Sequence, residues 1–425
     1  MRALFKGAQV YRDNQFHLTD VIVHDGIIIS ISPDLPTDSV DSVFFLDGCY
    51  LAPSFCDLHV HLREPGFGYK ETIADGTKAA AAGGFTTVCA MPNLDPVPDC
   101  LEHLEQELKI IRQDACIEVL PYAAITQGRR GGGAPVDFAA LAPRVCAFSD
   151  DGTGVQQRAD MLAAMRLAKA HSAIITAHCE DESLIPAGGC AHDGLLVEKY
   201  GLIGIPAESE WKQIARDIEL VRQTGVQYHV CHLSARESVE LIRKAKAEGL
   251  PVSCEVTPHN LTLTDADLLD EGRFKMNPPI RSAEHRQALL EGFLDGTIDV
   301  MATDHAPHAS EEKAKGLVGS TMGVVGLETA FSVLYTHLVK TGLMSFEALV
   351  DRLSAAPRKL FGLAPVSIEV DQAFNAVALD LDKTYTVDPE TFLTKGRATP
   401  FDGITLQGQV QATWHKGSLV YKRED

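Results

Sequence analysis

The sequence predicts an α/β protein built on parallel strands, and three observations predict it. From Leu51 onward, apolar runs of roughly four to eight residues, each ending in polar chemistry, alternate with helical stretches and short loops. That pattern belongs to a parallel sheet covered by its crossover helices. Eight such runs occur, at residues 55–61, 86–91, 116–125, 145–151, 173–178, 227–232, 251–258 and 298–304, the number that closes a (β/α)8 barrel. Outside them the chain has the grammar of short strands and turns, so a small β-sandwich domain built from both chain ends is expected beside the barrel. The 425 residues accommodate one barrel of about 250 residues with insertions and a smaller module. The expected division is 1–52 for the first part of the sandwich, 53–361 for the barrel and 362–425 for the second part.

In chain order, Val21-Ile22-Val23-His24 followed by Asp25-Gly26 is a hairpin signal. Residues 99–113, 159–170 and 207–223 carry apolar side chains at i, i+3, i+4 spacing and predict helices of the outer layer. After Gly362, residues 376–381, 403–406, 411–415 and 418–421 return to strand patterning between Gly, Pro and Asp. Neither terminal piece has enough strands to be stable alone, so the two must combine. A doubly wound open sheet is the alternative topology, because order along the chain does not reveal closure.

The 58 acidic and 38 basic residues give a net charge of −20, which repels phosphate backbones and anionic membranes. Nucleic acid and membrane partners are therefore not expected. Charges interrupt the first twenty residues before an apolar signal segment can form, and no run of about 18 apolar residues occurs, so a cytoplasmic, unanchored protein is expected. The ten cysteines include no CxxC pair and read as packed thiols. Gly131-Gly132-Gly133 lacks the Lys-Ser/Thr of a phosphate loop. The charge run 311–315 is expected to be solvated, within a lid hinged at Gly316, Gly319 and Gly323.

The chemistry gathers at strand ends. His59 and His61 form an HxH pair whose imidazoles can point the same way from a strand. Asp150-Asp151, His178, His232 and Asp304 end four further runs. Imidazole and carboxylate donors from five strands exceed what one structural zinc needs and suit a two-metal hydrolytic site. Donors without thiolate suit Zn²⁺ in a catalytic setting, with Mn²⁺, Co²⁺ and Fe²⁺ as alternatives. Cys179 and Cys231 adjoin His178 and His232 and are expected to face away from them. His229 is a weaker candidate ligand than His232. Arg63, two residues beyond His61, can clamp a carboxylate.

The segments DLHVHLREPG (57–66), AMPN (90–93), FSDDG (148–152), AHCED (177–181), CHLSARESV (231–239), CEVTPHNLTL (254–263), KMNPPIR (275–281), ATDHAPH (302–308) and GLETAF (326–331) resemble the cyclic amidohydrolase superfamily and, within it, the monofunctional bacterial long-type dihydroorotases. The resemblance implies reversible, zinc-dependent cyclisation of N-carbamoyl-L-aspartate to L-dihydroorotate in pyrimidine biosynthesis. It implies two Zn²⁺ per subunit, one held by His59, His61 and Asp304, the other by His178 and His232, with Asp151 bridging; the choice of Asp151 over Asp150 rests on the family pattern. Asp304 would be the catalytic proton carrier. His61, Arg63, Asn93, Asn277 and His308 would bind substrate, together with backbone groups at Met322 and Gly323, and His308 would gain charge near an anionic substrate.

Met322 stands where many relatives carry an aromatic residue, and Asn260 replaces a second His often seen after TPH. Hydantoinases and allantoinases bridge their metals with a carbamylated lysine after strand four, whereas residues 143–168 contain no lysine. Those enzymes, and a noncatalytic scaffold partner of aspartate transcarbamoylase, are the alternative readings. The expected assembly is a homodimer that can associate with aspartate transcarbamoylase.

Overall fold

The computed structural model describes residues 1–38 and 40–424. Both chain ends enter one eight-stranded sheet in the order Ser418–Lys422, Thr405–His415, Ala376–Thr386, Tyr50–Pro53, Arg2–Arg12, Gln15–His24 and Ile27–Ser32, with Ser42–Phe45 beside Arg2–Arg12. The two ends meet where Ala376 pairs with Pro53 and Leu379 with Tyr50. Ile27 bridges back to Ala373, so the far edge returns to the C-terminal half. The inner faces then share a core in which the Phe5 ring lies 4.3 Å from Phe374, tilted, and 5.1 Å from Trp414, edge to face. These are the faces of a sandwich, carried by one continuous hydrogen-bonded sheet.

The barrel comprises two parallel ladders. One holds Phe55–Val60, Phe85–Ala90 and Glu118–Pro121; the other holds Ile174–Ala177, Gln227–Val230, Val252–Val256 and Val300–Met301. Single parallel bridges from Phe148 to Ala123 and to Ile175 join them, and Val60 bridges to His305 to close the ring. The fourth strand expected at 145–151 is short but paired on both sides: Cys146 N donates to Pro121 O (3.0 Å), Ala123 N to Ala147 O (3.1 Å), Ser149 N to Ala123 O (2.9 Å), Phe148 N to Ile174 O (3.0 Å) and Thr176 N to Phe148 O (2.8 Å). Beyond Ser149 a side chain takes over: the Asp150 carboxylate accepts the N–H groups of Ile125 (2.8 Å), Thr126 (3.1 Å) and Gly131 (3.2 Å) and the Thr126 hydroxyl.

Helices Leu101–Asp114, Arg158–Ala170 and Glu208–Thr224 lie within two residues of their expected bounds. The larger core fills the space between strands and helices. A second apolar cluster, with Cys56, Leu58, Cys89, Tyr122, Cys231 and Phe361, contains residues from successive barrel strands. It packs the barrel beneath the mouth.

The C-terminal segment also reaches back to the barrel. Two carboxylates grip it, Glu71 buried and Glu328 half-buried: Glu328 accepts from the backbone of Leu393 (2.9 Å) and Thr394 (3.1 Å), while Glu71 accepts from Lys395 N (3.2 Å) and the Thr394 hydroxyl. Burial raises the Glu328 carboxyl from 4.5 to about 7. A carboxyl raised in this way binds more protons folded than unfolded between those values, so its stabilising effect is lost as pH rises through about 7. Glu328→Gln keeps one acceptor oxygen and removes the titration. Its urea-unfolding free energy is expected to fall less than the parent's between about pH 5 and pH 8, by up to about 3 kcal/mol; an unchanged difference would place the pH dependence elsewhere.

Candidate metal centre

A cavity of about 200 Å³ opens at the C-terminal ends of the strands and is lined by His61, Arg63, Asn93, Asp151, His178, His232, Asn277, Asp304, His308, Met322 and Gly323. His59 lies beneath it, fully buried. The residues expected from sequence to form a site are therefore gathered in one place.

Local departures from strand regularity aim them. The register between the first two barrel strands slips between Asp57 and Val60, a bulge that re-aims side chains. Leu58 and His59 can then both serve the barrel interior despite being neighbours. The sixth strand ends at Val230; Cys231 N still donates to Ala177 O (3.0 Å) and Leu233 N to Glu255 O (2.9 Å), and between them His232 adopts φ 28°. This turn brings His232 to the site while Cys231 also stays inside, close to His59 and Glu255. The expectation that Cys231 faces away is therefore corrected: strict alternation does not extend past the strand end. Cys179 does face outward, with its thiol 3.2 Å from the Tyr228 hydroxyl. Arg63 (φ 64°) and Asp304 (φ 48°) share the left-handed conformation, which costs energy in a non-glycine residue and persists where the surroundings impose it.

Asp151 sits among the imidazoles. Its Oδ1 is 3.4 Å from His59 Nε2 and 3.7 Å from both His178 Nδ1 and His232 Nε2, and its Oδ2 is 3.6 Å from His61 Nε2. Asp304 Oδ1 lies 3.1 Å from His61 Nε2 and 3.4 Å from His59 Nε2. Asp151 Oδ1 and His59 Nε2 are buried with no hydrogen-bond partner, a costly state unless a cation completes it. Two groups of donors, His59/His61/Asp151 and Asp151/His178/His232, each have ligand atoms within 4.8 Å of one another. The donor set and the orphaned atoms fit divalent metal. Burial would raise the Asp151 carboxyl, but His59, His232, His61 and His178 hold it well below the ordinary range. Asp304 is likewise held low, against burial, chiefly by His59 and His61.

Further carboxylates that the sequence reading did not single out support the imidazoles. Glu255, buried, lies 2.7 Å from His59 Nδ1 and 3.1 Å from His229 Nε2. His229 is thereby engaged below the site, its other nitrogen 2.9 Å from Ser253 Oγ. Glu180 lies 3.4 Å from His178 Nε2. A carboxylate on the far nitrogen fixes which nitrogen of a histidine can face a metal. An acid inside an otherwise apolar strand was the available signal for Glu255, and position i+2 from His178 the signal for Glu180.

On the opposite wall, Arg63 Nε donates to Pro307 O (3.1 Å), and its Nη2 lies 3.3 Å from His308 Nε2. His308 sits 2.7 Å from Met322 O and 3.2 Å from Lys70 Nζ. Burial, with Arg63 and Lys70 beside it, pushes the His308 imidazole down to about 3, so this ring is neutral before an anionic substrate arrives. Lys70 is a cation on this wall that the sequence reading missed. Asn93 Nδ2 donates to Asp151 O at 2.8 Å. Gly323 has φ 130°, and a Cβ there would lie 2.8 Å from Ala306 O and 2.9 Å from His308 Nε2, so only glycine fits.

The run 311–315 is not uniformly solvated. Lys313 is buried, and its ammonium donates to Lys275 O (2.9 Å), Thr321 O (2.8 Å) and Gly323 O (2.7 Å). It ties the loop carrying Met322 and Gly323 to the segment carrying Asn277.

Comparison with known proteins gives a consistent picture. Residues 48–238 match the family model described as dihydro-orotase-like. The chain is 47% identical over 426 residues to the dihydroorotase of Anoxybacillus flavithermus, covering 100% of this chain and 99% of that one. It is 47% identical over 422 residues to the dihydroorotase of Bacillus caldolyticus, covering 99% and 98%. Among solved structures, the L-hydantoinase (dihydropyrimidinase) of Arthrobacter aurescens superposes with a TM-score of 0.88 at 26% identity, over 100% of this chain and 96% of that one.

The contrast between adjacent aspartates is testable. Asp151→Ala is expected to lose most bound metal by atomic emission while keeping its urea midpoint near the parent's. Asp150→Ala, which strands three backbone N–H groups, is expected to lose about 2–4 kcal/mol of stability. Metal loss confined to Asp150→Ala would reverse the assignment.

Proposed function

The chain belongs to the dihydroorotase family, and on that premise we propose that its barrel mouth interconverts N-carbamoyl-L-aspartate and L-dihydroorotate by closing and opening a cyclic amide. The observation that carries this reading is the convergence of four imidazoles, Asp151 and Asp304 on one buried point, with the Arg63 guanidinium on the facing wall. In the proposal, His59, His61 and Asp304 would hold one Zn²⁺ and His178 and His232 a second, with Asp151 available to both. Such cations, when bound, lower the pKa of water toward neutrality and polarise an amide carbonyl.

The chain's own groups do the rest. Asp304 Oδ1, ionised at neutral pH, accepts the proton of the attacking water and returns it to the departing ring nitrogen. In the cyclising direction the same oxygen takes a proton from the carbamoyl nitrogen, and water leaves. Burial lowers the Arg63 guanidinium only to about 10, so it stays charged and grips the substrate carboxylate that does not react. Asn93 and neutral His308 complete that grip, and Asn277 with the Met322–Gly323 backbone meets the ring. Holding the unreactive end fixes the scissile amide against Asp304.

The relatives at 47% identity favour dihydroorotate over hydantoin, as does the absence of lysine at residues 143–168. The retained donors favour an enzyme over a scaffold. The proposal extends to a cytoplasmic homodimer able to associate with aspartate transcarbamoylase, checked by sedimentation of the chain alone and with that enzyme.

Turnover of dihydroorotate is expected to exceed that of hydantoin and allantoin in parallel assays; preference for either competitor overturns the reading. Asp304→Asn is expected to lower kcat by about 10²–10⁴ while metal content stays near the parent's, and near-normal turnover would remove Asp304 as proton carrier. Arg63→Ala is expected to raise KM for dihydroorotate by about 10–100-fold with a smaller change in kcat.

A further inference from the structure

Glu180 stands between two groups with different tasks. One carboxylate oxygen lies 3.4 Å from His178 Nε2, the nitrogen turned away from Asp151. Both oxygens accept from Asn277 Nδ2, at 3.0 Å each. Asn277 Nδ2 is itself 3.4 Å from His178 Nε2, closing a triangle of three side chains. The Glu180 side chain is 12% exposed at the edge of the cavity. Its counterpart under the other donor group, Glu255, is 1% exposed and bonded only to barrel-interior groups, His59, His229 and the His232 backbone. The two supporting carboxylates therefore differ: Glu255 is wholly internal, whereas Glu180 joins a proposed metal ligand to a proposed substrate contact.

We propose that Glu180 is a positioning residue that couples the substrate contact Asn277 to the His178/His232 metal subsite; this rests on the dihydroorotase reading above. Accepting from His178 Nε2–H leaves Nδ1, 3.7 Å from Asp151 Oδ1 and 3.0 Å from His232 Nε2, as the nitrogen that would face the metal. The same carboxylate orients the Asn277 amide, so a change at either group is felt at the other. Glu180→Gln supplies one acceptor oxygen in place of two and sets its own NH₂ against the Asn277 NH₂, which disturbs both partners without changing side-chain length.

The test uses the zinc-loaded enzyme and two readouts. In Glu180→Gln, one of the two zinc equivalents is expected to leave about tenfold faster in the presence of a chelator, the other at the parent's rate. KM for dihydroorotate is expected to rise about tenfold, with kcat changing less. Glu180→Asp, which keeps the charge and shortens the reach, is expected to fall between parent and Gln on both readouts, and it serves as the second variant if the first folds poorly. In combination with Asn277→Ala, Glu180→Gln is expected to add little further rise in KM while keeping its full effect on zinc release. Additive effects on KM, or parent-like zinc release and KM in Glu180→Gln, overturn the proposal. Zinc release is read without turnover, so a chain with no dihydroorotase activity would sink the functional reading and leave the metal half of this coupling to be decided by release alone.

Discussion

The structure turns on a buried anion left incomplete. Asp151 Oδ1 has no hydrogen bond, yet burial there costs several kcal/mol unless positive charge or metal compensates. Asn93 Nδ2 reaches the other oxygen, Oδ2, at 3.3 Å, and the surroundings leave Oδ1 without a donor. The neighbouring Asp150 absorbs the nearby backbone donors. Glu255 occupies His59 Nδ1, and Glu180 faces His178 Nε2, so the nitrogens left over are those facing Asp151. The strand bulge at Asp57–Val60 and the left-handed backbone at His232 and Asp304 are geometric costs carried by this same centre.

The net charge of −20 is compatible with an anionic substrate because the field is set locally. Arg63 is buried and Lys70 reaches the same wall through His308. Lys70 is paired with Glu312 at 3.2 Å, and Asp151 and Asp304 face the same cavity, so the buried Arg63 guanidinium is the cation left to meet a carboxylate there, while exposed carboxylates elsewhere are screened within about 10 Å. A neutral His308 fits this arrangement. A third cation beside Arg63 and Lys70 would be repelled, whereas a neutral ring can both accept from Lys70 and donate to Met322 O.

Much of this was legible in the sequence, for definite reasons. Strand-length apolar runs ending in His or Asp place chemistry at a barrel mouth, and both chain ends reading as short strands leaves them only each other as partners. What was not legible follows from local physics that periodicity does not encode. Alternation predicts that Cys231 opposes His232, but a single φ of 28° cancels the rule. The segment 145–151 reads as a strand and pairs as one through Ser149, but apolar patterning does not show that Asp150 then gathers the N–H groups of Ile125, Thr126 and Gly131. Lys313 sits in a charge run that reads as solvated. Its burial depends on three carbonyls brought from two distant segments, which no local pattern reveals.

The terminal sheet is tied to the chemistry through His305, the residue after Asp304. Its carbonyl accepts from His61 N at 2.8 Å, which fixes the first strand against the last at the point of ring closure. Its Nδ1 accepts from Gly326 N at 3.2 Å, so Nε2 carries the proton and faces Thr394 Oγ1 and Glu71. Thr394 comes from the C-terminal segment and is held by Glu71 and Glu328. The segment that follows the barrel in sequence therefore braces the residue next to Asp304. A (β/α)8 ring whose last strand is only Val300–Met301 has little ladder of its own to fix that end. The clasp supplies the missing restraint from outside the barrel, which accounts for these two carboxylates being spent on a connecting loop.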